Sequence, residues 1–197
     1  MTPSILGSTR PSTTSALPPL PYHQSGEHLG GSLEEILRLF LLSHQIGETK
    51  SVFRNKYRDI YLDKTILLEG AKAVIEELSR RSIRLAVASN KSAKFCRKLL
   101  SQLGIDRFFT TITGVGHGLR PKPFPDMVNA MVLDLGLRPE EVVMVGDTVE
   151  DIEAGKSAGV DVYALSNGYH PLEKLIRKRP RRILRELQDL LQALPVR

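Results

Sequence analysis

From residue 67 onward the chain alternates between two apolar rhythms. Short stretches rich in apolar and β-branched residues occur at 84–89 (RLAVAS), 109–113 (FTTIT), 142–145 and 162–165. Between them, apolar residues recur every three or four positions. The first kind reads as strand buried on both faces and the second as amphipathic helix. In 71–81, Val74, Ile75 and Leu78 fall on one side; 94–103 and 126–135 are helices stopped by Gly104 and Gly136; 151–158 continues a pattern set by Val149 and Ile152. Strands alternating with helices of this length predict a parallel sheet of right-handed βαβ units, and hence an α/β fold.

Upstream the pattern is helical only. Ser32 and Glu35 have capping-box spacing, and Leu33, Ile36, Leu37, Phe40 and Leu41 form an apolar face expected to end at Gly47. A second helix, 48–62, groups Val52, Phe53, Tyr57, Ile60 and Tyr61. The two make a helical hairpin that needs a partner for its apolar stripe. Residues 1–30 are different again, crowded with Ser, Thr, Gly and Pro, including Pro18, Pro19 and Pro21. Proline fixes φ and removes an amide donor, so a disordered or extended arm is expected. The chain therefore divides into an arm (1–30), a helical segment (31–66) and an α/β core (67–197).

Bulk properties narrow the setting. At 197 residues, 41% hydrophobic and 25% charged, the chain can hold one medium domain with a small appendage. It has no apolar run of about 18 residues and no basic-then-apolar leader, so no membrane association is expected. The one cysteine, Cys96, excludes an intrachain disulfide and a cysteine-built zinc site and suits a reducing cytoplasm. Beside Phe95, Leu99 and Leu100 it reads as a buried structural thiol rather than a nucleophile. The formal charge is +6, with much of the excess in 177–185, RKRPRRILR. This block has no interleaved aromatics and leads into an amphipathic tail (Ile183, Leu187, Leu190, Leu191). It is expected to be a solvated basic face, and nucleic acid is not expected as a partner.

In open α/β sheets, functional residues collect beyond the strand C-termini. Ser89, Asn90 and Lys91 follow the first strand, and a loop carrying Lys122 follows the second. Asp147 and Asp151 follow the third; Ser166, Asn167 and Gly168 follow the fourth. Asp151 lies one helical turn after Asp147 and faces the same way. Two converging carboxylates form a hard-oxygen site suited to Mg²⁺ rather than zinc. Each residue also has a plainer reading: Asp147 and the Ser89–Asn90 pair as helix caps, and Lys122 as an exposed loop lysine. Together on one rim, however, they can hold a phosphoryl group and a divalent cation.

Three stretches then resemble, in order and spacing, the later motifs of the haloacid dehalogenase-type hydrolase superfamily, and within it the phosphoglycolate phosphatase-like group. They are ASNKS (88–92), RPKPFPD (120–126) and GDTVEDIEAGKSAG (146–159). SNGYHPLE (166–173) resembles the segment after that family's last motif, and the resemblance covers about 32–190. It implies a Rossmann-like three-layer core in which 31–66 is a small, partial helical cap. It implies further that Ser89 and Asn90 contact the phosphoryl group and that Lys122 stabilises its charge and that of an aspartyl-phosphate intermediate. Asp147 would ligate Mg²⁺, with Asp151 bound to it directly or through water. The implied activity is Mg²⁺-dependent hydrolysis of a small phosphorylated metabolite such as 2-phosphoglycolate. Self-association into a homo-oligomer is left open.

One part of the family pattern is missing. Its first motif, Asp-x-Asp-Gly-Thr, supplies the nucleophile and the general acid-base and precedes the cap. No aspartate occurs before Ser32, and Asp63 follows the cap helices without a second acid. Residual phosphatase activity at best is therefore expected, with a non-catalytic phosphate- or Mg²⁺-binding relative as the alternative and a polyanion-binding module third. In the resembled fold the first strand lies between the strands ending at Ser89 and Val145, so its loss would leave two unpaired inner edges. Residues 4–7 (SILG) could fill part of the gap, or the half-sheets could close on each other. The expectation favoured here is that the sequence is a truncated or misframed form of a complete enzyme.

Overall fold

In a computed structural model of the chain, which describes residues 33–38, 41–116 and 118–194, the predicted strands form two parallel groups. Strand β1 (Leu85–Ser89) pairs with β2 (Phe109–Gly114). In the second group β3 (Val143–Gly146), β4 (Asp161–Leu165) and β5 (Arg182–Leu184) run side by side in that order. Helices α1 (Leu33–Arg38) and α2 (Ser43–Lys64) come first, and α3 (Ala71–Arg80) leads into β1. Then α4 (Ala93–Gln102) joins β1 to β2, α5 (Asp126–Asp134) joins β2 to β3, and α6 (Val149–Ser157) joins β3 to β4. After β4 come α7 (Leu172–Arg177) and, beyond β5, the single turn α8 (Leu190–Ala193). Among the described residues, no helix is long and apolar enough to cross a membrane.

The alternation of side chains along β4 sorts the layers. Val162 and Ala164 pack with Ile152 of α6 and Leu175 of α7. Tyr163 and Leu165, pointing the other way, join Val74 and Leu78 of α3, Leu184 of β5 and Leu190 of α8. The sheet therefore lies between two helical layers, as expected for an α/β fold covered on both faces. Burying a side chain such as Leu175 fully contributes about 1.5–3 kcal/mol, so β4 and its neighbours form the stability centre.

Between the two groups the construction changes. Among the described residues no strand pairs β1 with β3, and both are half-buried along their length whereas β4 is buried from Val162 to Leu165. What joins them is the layer beneath: Leu85 of β1 and Val143 and Val145 of β3 pack against the same α3 cluster. Arg84 adds a polar tie, donating from Nη1 to the Leu135 carbonyl at 2.5 Å. Residues 4–7 and the expected 1–30 arm lie outside the described residues, as does the Ser32 end of the expected capping box.

Two expectations are corrected. Gly47 does not end a helix; it lies inside α2. Gly104 and Gly136 stop their helices at φ 67° and 60°, the left-handed geometry that a glycine stop requires, whereas Gly47 is not among the positive-φ glycines. A glycine in helical geometry costs only about 0.5–1 kcal/mol, too little to break a 22-residue helix. The chain breaks earlier, where the Leu42 N–H donates to Gln45 Oε1, and Glu34 ties α1 to α2 through Lys50 Nζ at 2.5 Å. On α2, Val52 and Phe53 are about half exposed; the side chains of Tyr57, Ile60 and Tyr61 lie outside the described residues.

The second correction concerns the basic block, which does not run straight into an amphipathic helix. Residues 182–184 are β5, inserted after a turn in which Arg179 adopts φ 51°. Three residues are too few to display alternation, and the surrounding arginines masked it. Leu184 points into the core while Arg182 and Ile183 face outward. Arginines on an outer strand discourage pairing with a further strand. Arg181 is paired with Asp161 at 2.8 Å.

Candidate active site

The turn after β3 assigns its carboxylates in an unexpected way. The residue that caps α6 is Thr148: its hydroxyl accepts from the Asp151 N–H, and Asp151 reaches back to the Thr148 N–H, a reciprocal capping box. Asp151 Oδ2 accepts three donors in all, from Asp147 N (3.2 Å), Thr148 N (3.1 Å) and Thr148 Oγ1 (2.7 Å). The capping role that the plainer reading gave Asp147 thus belongs to Thr148, with Asp151 as its reciprocal partner. Asp147 is left with Oδ2 accepting from the Tyr169 N–H at 2.9 Å, and among the described residues its Oδ1 accepts no hydrogen bond. Gly168 makes this position possible, since a Cβ there would overlap the Asp147 Cβ.

The β1 end is organised similarly. Ser92, not Ser89 or Asn90, caps α4 by accepting from the Phe95 N–H. Ser89 is free of capping: its Oγ accepts from the Lys91 N–H at 3.1 Å, leaving its own proton to donate. The Asn90 side chain forms a two-bond ladder with the Lys122 backbone, Nδ2 donating to Lys122 O (3.0 Å) and Oδ1 accepting from Lys122 N (2.7 Å). Its side chain thereby fixes the lysine backbone. The loop bearing Lys122 is clasped further on by Arg120, which binds both oxygens of Asp126 and stacks on Phe124 at 4.2 Å. The Arg120 side-chain hydrogen bonds, then its backbone N–H, hold the Asp126 carboxyl below the usual carboxylate range.

Lys122 is not an exposed loop lysine. Its side chain is 12% exposed, and Nζ donates to Asp151 Oδ1 (2.5 Å) and to the Ala88 carbonyl (2.9 Å). It thereby spans from β1 to the start of α6, across the interval that no described strand fills. An ammonium has three donors, so one remains for a ligand on the rim. The structure brings Ser89, Asn90, Lys122, Asp147 and Asp151 to one end of the strands. It separates their duties: Asp151 and Asn90 hold the site in shape, while Ser89, Lys122 and Asp147 have unfilled bonding capacity. A divalent cation placed directly on Asp151 Oδ1 would sit against the Lys122 ammonium, so coordination through water is the arrangement that charge permits. Among the described residues, no three His, Cys, Asp or Glu side chains converge as a ready-made metal cage.

A cavity of about 270 Å³ opens elsewhere, lined by Leu68, Glu69, Asn167, Glu186, Leu187 and Gln188. Its two carboxylates, Glu69 and Glu186, make it a poor place for an anionic group. Sequence reasoning missed Thr148 and His170. Thr148 was legible in the T-x-x-D spacing of 148–151; the buried His170, whose Nδ1 accepts from the Val149 N–H at 2.9 Å, follows from no local pattern.

Comparison with known proteins bears on the family and the fold. The sequence matches the family model of haloacid dehalogenase-like hydrolases over residues 10–165, a match that begins inside the Ser/Thr/Pro-rich segment. Phosphoglycolate phosphatases of Shigella boydii and Yersinia pestis are 28% and 29% identical over 150 and 149 residues, 76% of this chain in each case. The aligned part is 60% and 64% of those proteins, so the chain spans less than two thirds of the length of these relatives. A haloacid dehalogenase-like hydrolase from Streptococcus pneumoniae superposes with a TM-score of 0.81 over 89% of this chain and 82% of its own, at 23% identity. That likeness establishes the fold.

Proposed function

The chain belongs to the haloacid dehalogenase-like hydrolases, and on that premise we propose that its rim serves phosphomonoester hydrolysis, with a small phosphorylated metabolite such as 2-phosphoglycolate as substrate. The observation that carries this reading is Lys122: a buried ammonium with one uncommitted donor, standing on the same rim as the Ser89 hydroxyl and the Asp147 carboxylate. Lys122 opposes the charge on the phosphoryl group, Ser89 donates a hydrogen bond to it, and Asn90 keeps the lysine backbone in register. The relatives named phosphoglycolate phosphatase support the substrate class.

The donor set fits Mg²⁺, which favours hard oxygens, keeps several waters and needs only one or two protein carboxylates. Asp147 would hold it, with Asp151 contributing through water. When bound, the ion would neutralise developing charge on phosphoryl oxygens. The nucleophile is unassigned: residues 1–32 contain no aspartate, and the sequence offers no Asp-x-Asp pair before the cap. This favours a second reading, a phosphate- and Mg²⁺-binding relative without turnover. The lone buried Cys96 suits a reducing cytoplasm.

The deciding assay is hydrolysis of p-nitrophenyl phosphate by this chain and by a version carrying a grafted Asp-x-Asp-Gly-Thr strand. Mg²⁺-dependent turnover that is lost in Asp147→Ala supports the phosphatase. Mg²⁺-dependent phosphate binding with no turnover in either chain selects the second reading, and binding of neither ligand removes both.

A further inference from the structure

We propose that His170 is a positioning residue for Asp147, holding the turn from behind so that its free carboxylate oxygen stays aimed at the rim. The inference rests on the reading of Asp147 as the Mg²⁺ ligand but concerns a residue of the 166–173 segment that the proposed reaction does not use. His170 is 5% exposed and lies five residues after the end of β4, in the loop facing the β3–α6 turn. Three hydrogen bonds run from Tyr169 and His170 to that turn. The Tyr169 N–H donates to Asp147 Oδ2 (2.9 Å), the His170 N–H donates to the Asp147 carbonyl (3.1 Å), and His170 Nδ1 accepts from the Val149 N–H (2.9 Å).

The imidazole meets a specific need. The first turn of a helix has amides with no partner inside the helix. In α6, Thr148 and Asp151 provide for each other, and Val149 is the residue whose N–H is satisfied from outside, by His170. Because Nδ1 accepts, the proton of the neutral ring is on Nε2. Glu150 Oε2 lies 3.9 Å from Nδ1, beyond hydrogen-bond reach, and is itself buried without a partner. Nδ1 is thus left to Val149. With its backbone carbonyl, one carboxylate oxygen and the neighbouring helix start all fixed by Tyr169 and His170, Asp147 has little freedom to swing. Groups that orient a ligand in this way typically influence metal affinity by about tenfold or more.

Two substitutions separate positioning from packing. His170→Asn carries an acceptor attached to Cγ, as Nδ1 is, and retains the bond to Val149; His170→Leu fills the pocket without any acceptor. Titration with Mg²⁺ alone, followed calorimetrically, and backbone amide exchange at Val149 are measured on parent and variants. The expected result is an Mg²⁺ affinity weakened about tenfold or more in His170→Leu with accelerated Val149 exchange, and near-parental values for both in His170→Asn. Should His170→Leu fail to fold, His170→Gln, whose acceptor is one bond further out, is expected to show the same loss. Parental Mg²⁺ affinity in folded His170→Leu, or in His170→Gln where His170→Leu does not fold, overturns the proposal, as does His170→Asn behaving like that variant. If the parent itself binds no Mg²⁺, the metal reading of Asp147 fails instead. The clamp is then judged by exchange alone: equal Val149 rates in all variants overturn it, and the Leu-fast, Asn-slow pattern sustains it.

Discussion

Asp151→Asn is the substitution that reads most directly on the site's construction. The aspartate presents two acceptor oxygens in opposite directions, Oδ1 to Lys122 and Oδ2 to three donors in the turn. An asparagine has one. If its carbonyl replaces Oδ2, its NH₂ faces the Lys122 ammonium; if it replaces Oδ1, the NH₂ faces the N–H groups of Asp147 and Thr148. Either orientation sets donor against donor and removes the charge that balances Lys122. The pair is 12% and 7% exposed, so water cannot make up the loss. Removing one partner of a buried pair typically costs about 3–5 kcal/mol. For a chain of this length that corresponds to a fall in Tm on the order of 10 °C. Urea unfolding of the parent, Asp151→Asn, Lys122→Met and the double variant gives the coupling directly. The double variant no longer contains an uncompensated ammonium and is expected to be destabilised by about 1–3 kcal/mol less than the sum of the singles. Additivity within about 0.5 kcal/mol would refute the account of Lys122 as a tether between β1 and α6.

Three other outcomes follow from the same geometry. Ser92→Ala should lower stability by about 1 kcal/mol through loss of the α4 cap. Ser89→Ala should change stability by less than about 0.5 kcal/mol yet weaken phosphate binding; equal stability losses in the two would return Ser89 to a capping role. Leu175→Ala, which empties a fully buried position between α6, α7 and β4, should cost about 2–5 kcal/mol in chemical denaturation, and a loss below 1 kcal/mol would contradict its place in that cluster. The Arg120–Asp126 clasp gives a pH dependence of definite sign. Because Arg120 holds the folded carboxyl below its ordinary range, the contribution is fully present above the unfolded pKa and is lost only as pH falls through the depressed folded value. Amide exchange in residues 118–126 should stay slow through the ordinary carboxylate range and accelerate in stronger acid, earlier in Arg120→Ala; identical profiles would exclude the clasp.

The parts of the fold that were legible in the sequence share one property: their signals are local. The runs at 142–145 and 162–165 are apolar because their residues pack on both faces of the sheet, and Gly104 and Gly136 end helices because they adopt a backbone that other residues avoid. Strand β5 was hidden because a three-residue strand has no period, and its arginines made it resemble a surface segment. Gly47 misled because glycine marks a helix end only when φ turns positive, which is decided by the surrounding chain. The site was legible as a set of residues, since strand ends on one rim are predictable from a parallel sheet. Their individual tasks were not. Whether Asn90 faces a ligand or the Lys122 backbone depends on a loop 32 positions away, and nothing in ASNKS records that distance.

The same logic explains why two acids occupy the turn after β3. A helix start needs an acceptor and the cation site proposed for the rim needs one too, and a single carboxylate cannot serve both fully. Were Asp147 the cap, its oxygens would be filled by α6 and would not be open to the rim. With Thr148 and Asp151 capping the helix, Asp151 also balances Lys122, and Asp147 keeps an oxygen that meets no donor among the described residues. Gly146 and Gly168 are the steric counterparts of this division, because a Cβ at either would overlap Asp151 or Asp147 respectively. Asp151, the second acid of the converging pair, is therefore engaged in the turn, and that engagement leaves Asp147 with an oxygen that no donor among the described residues fills.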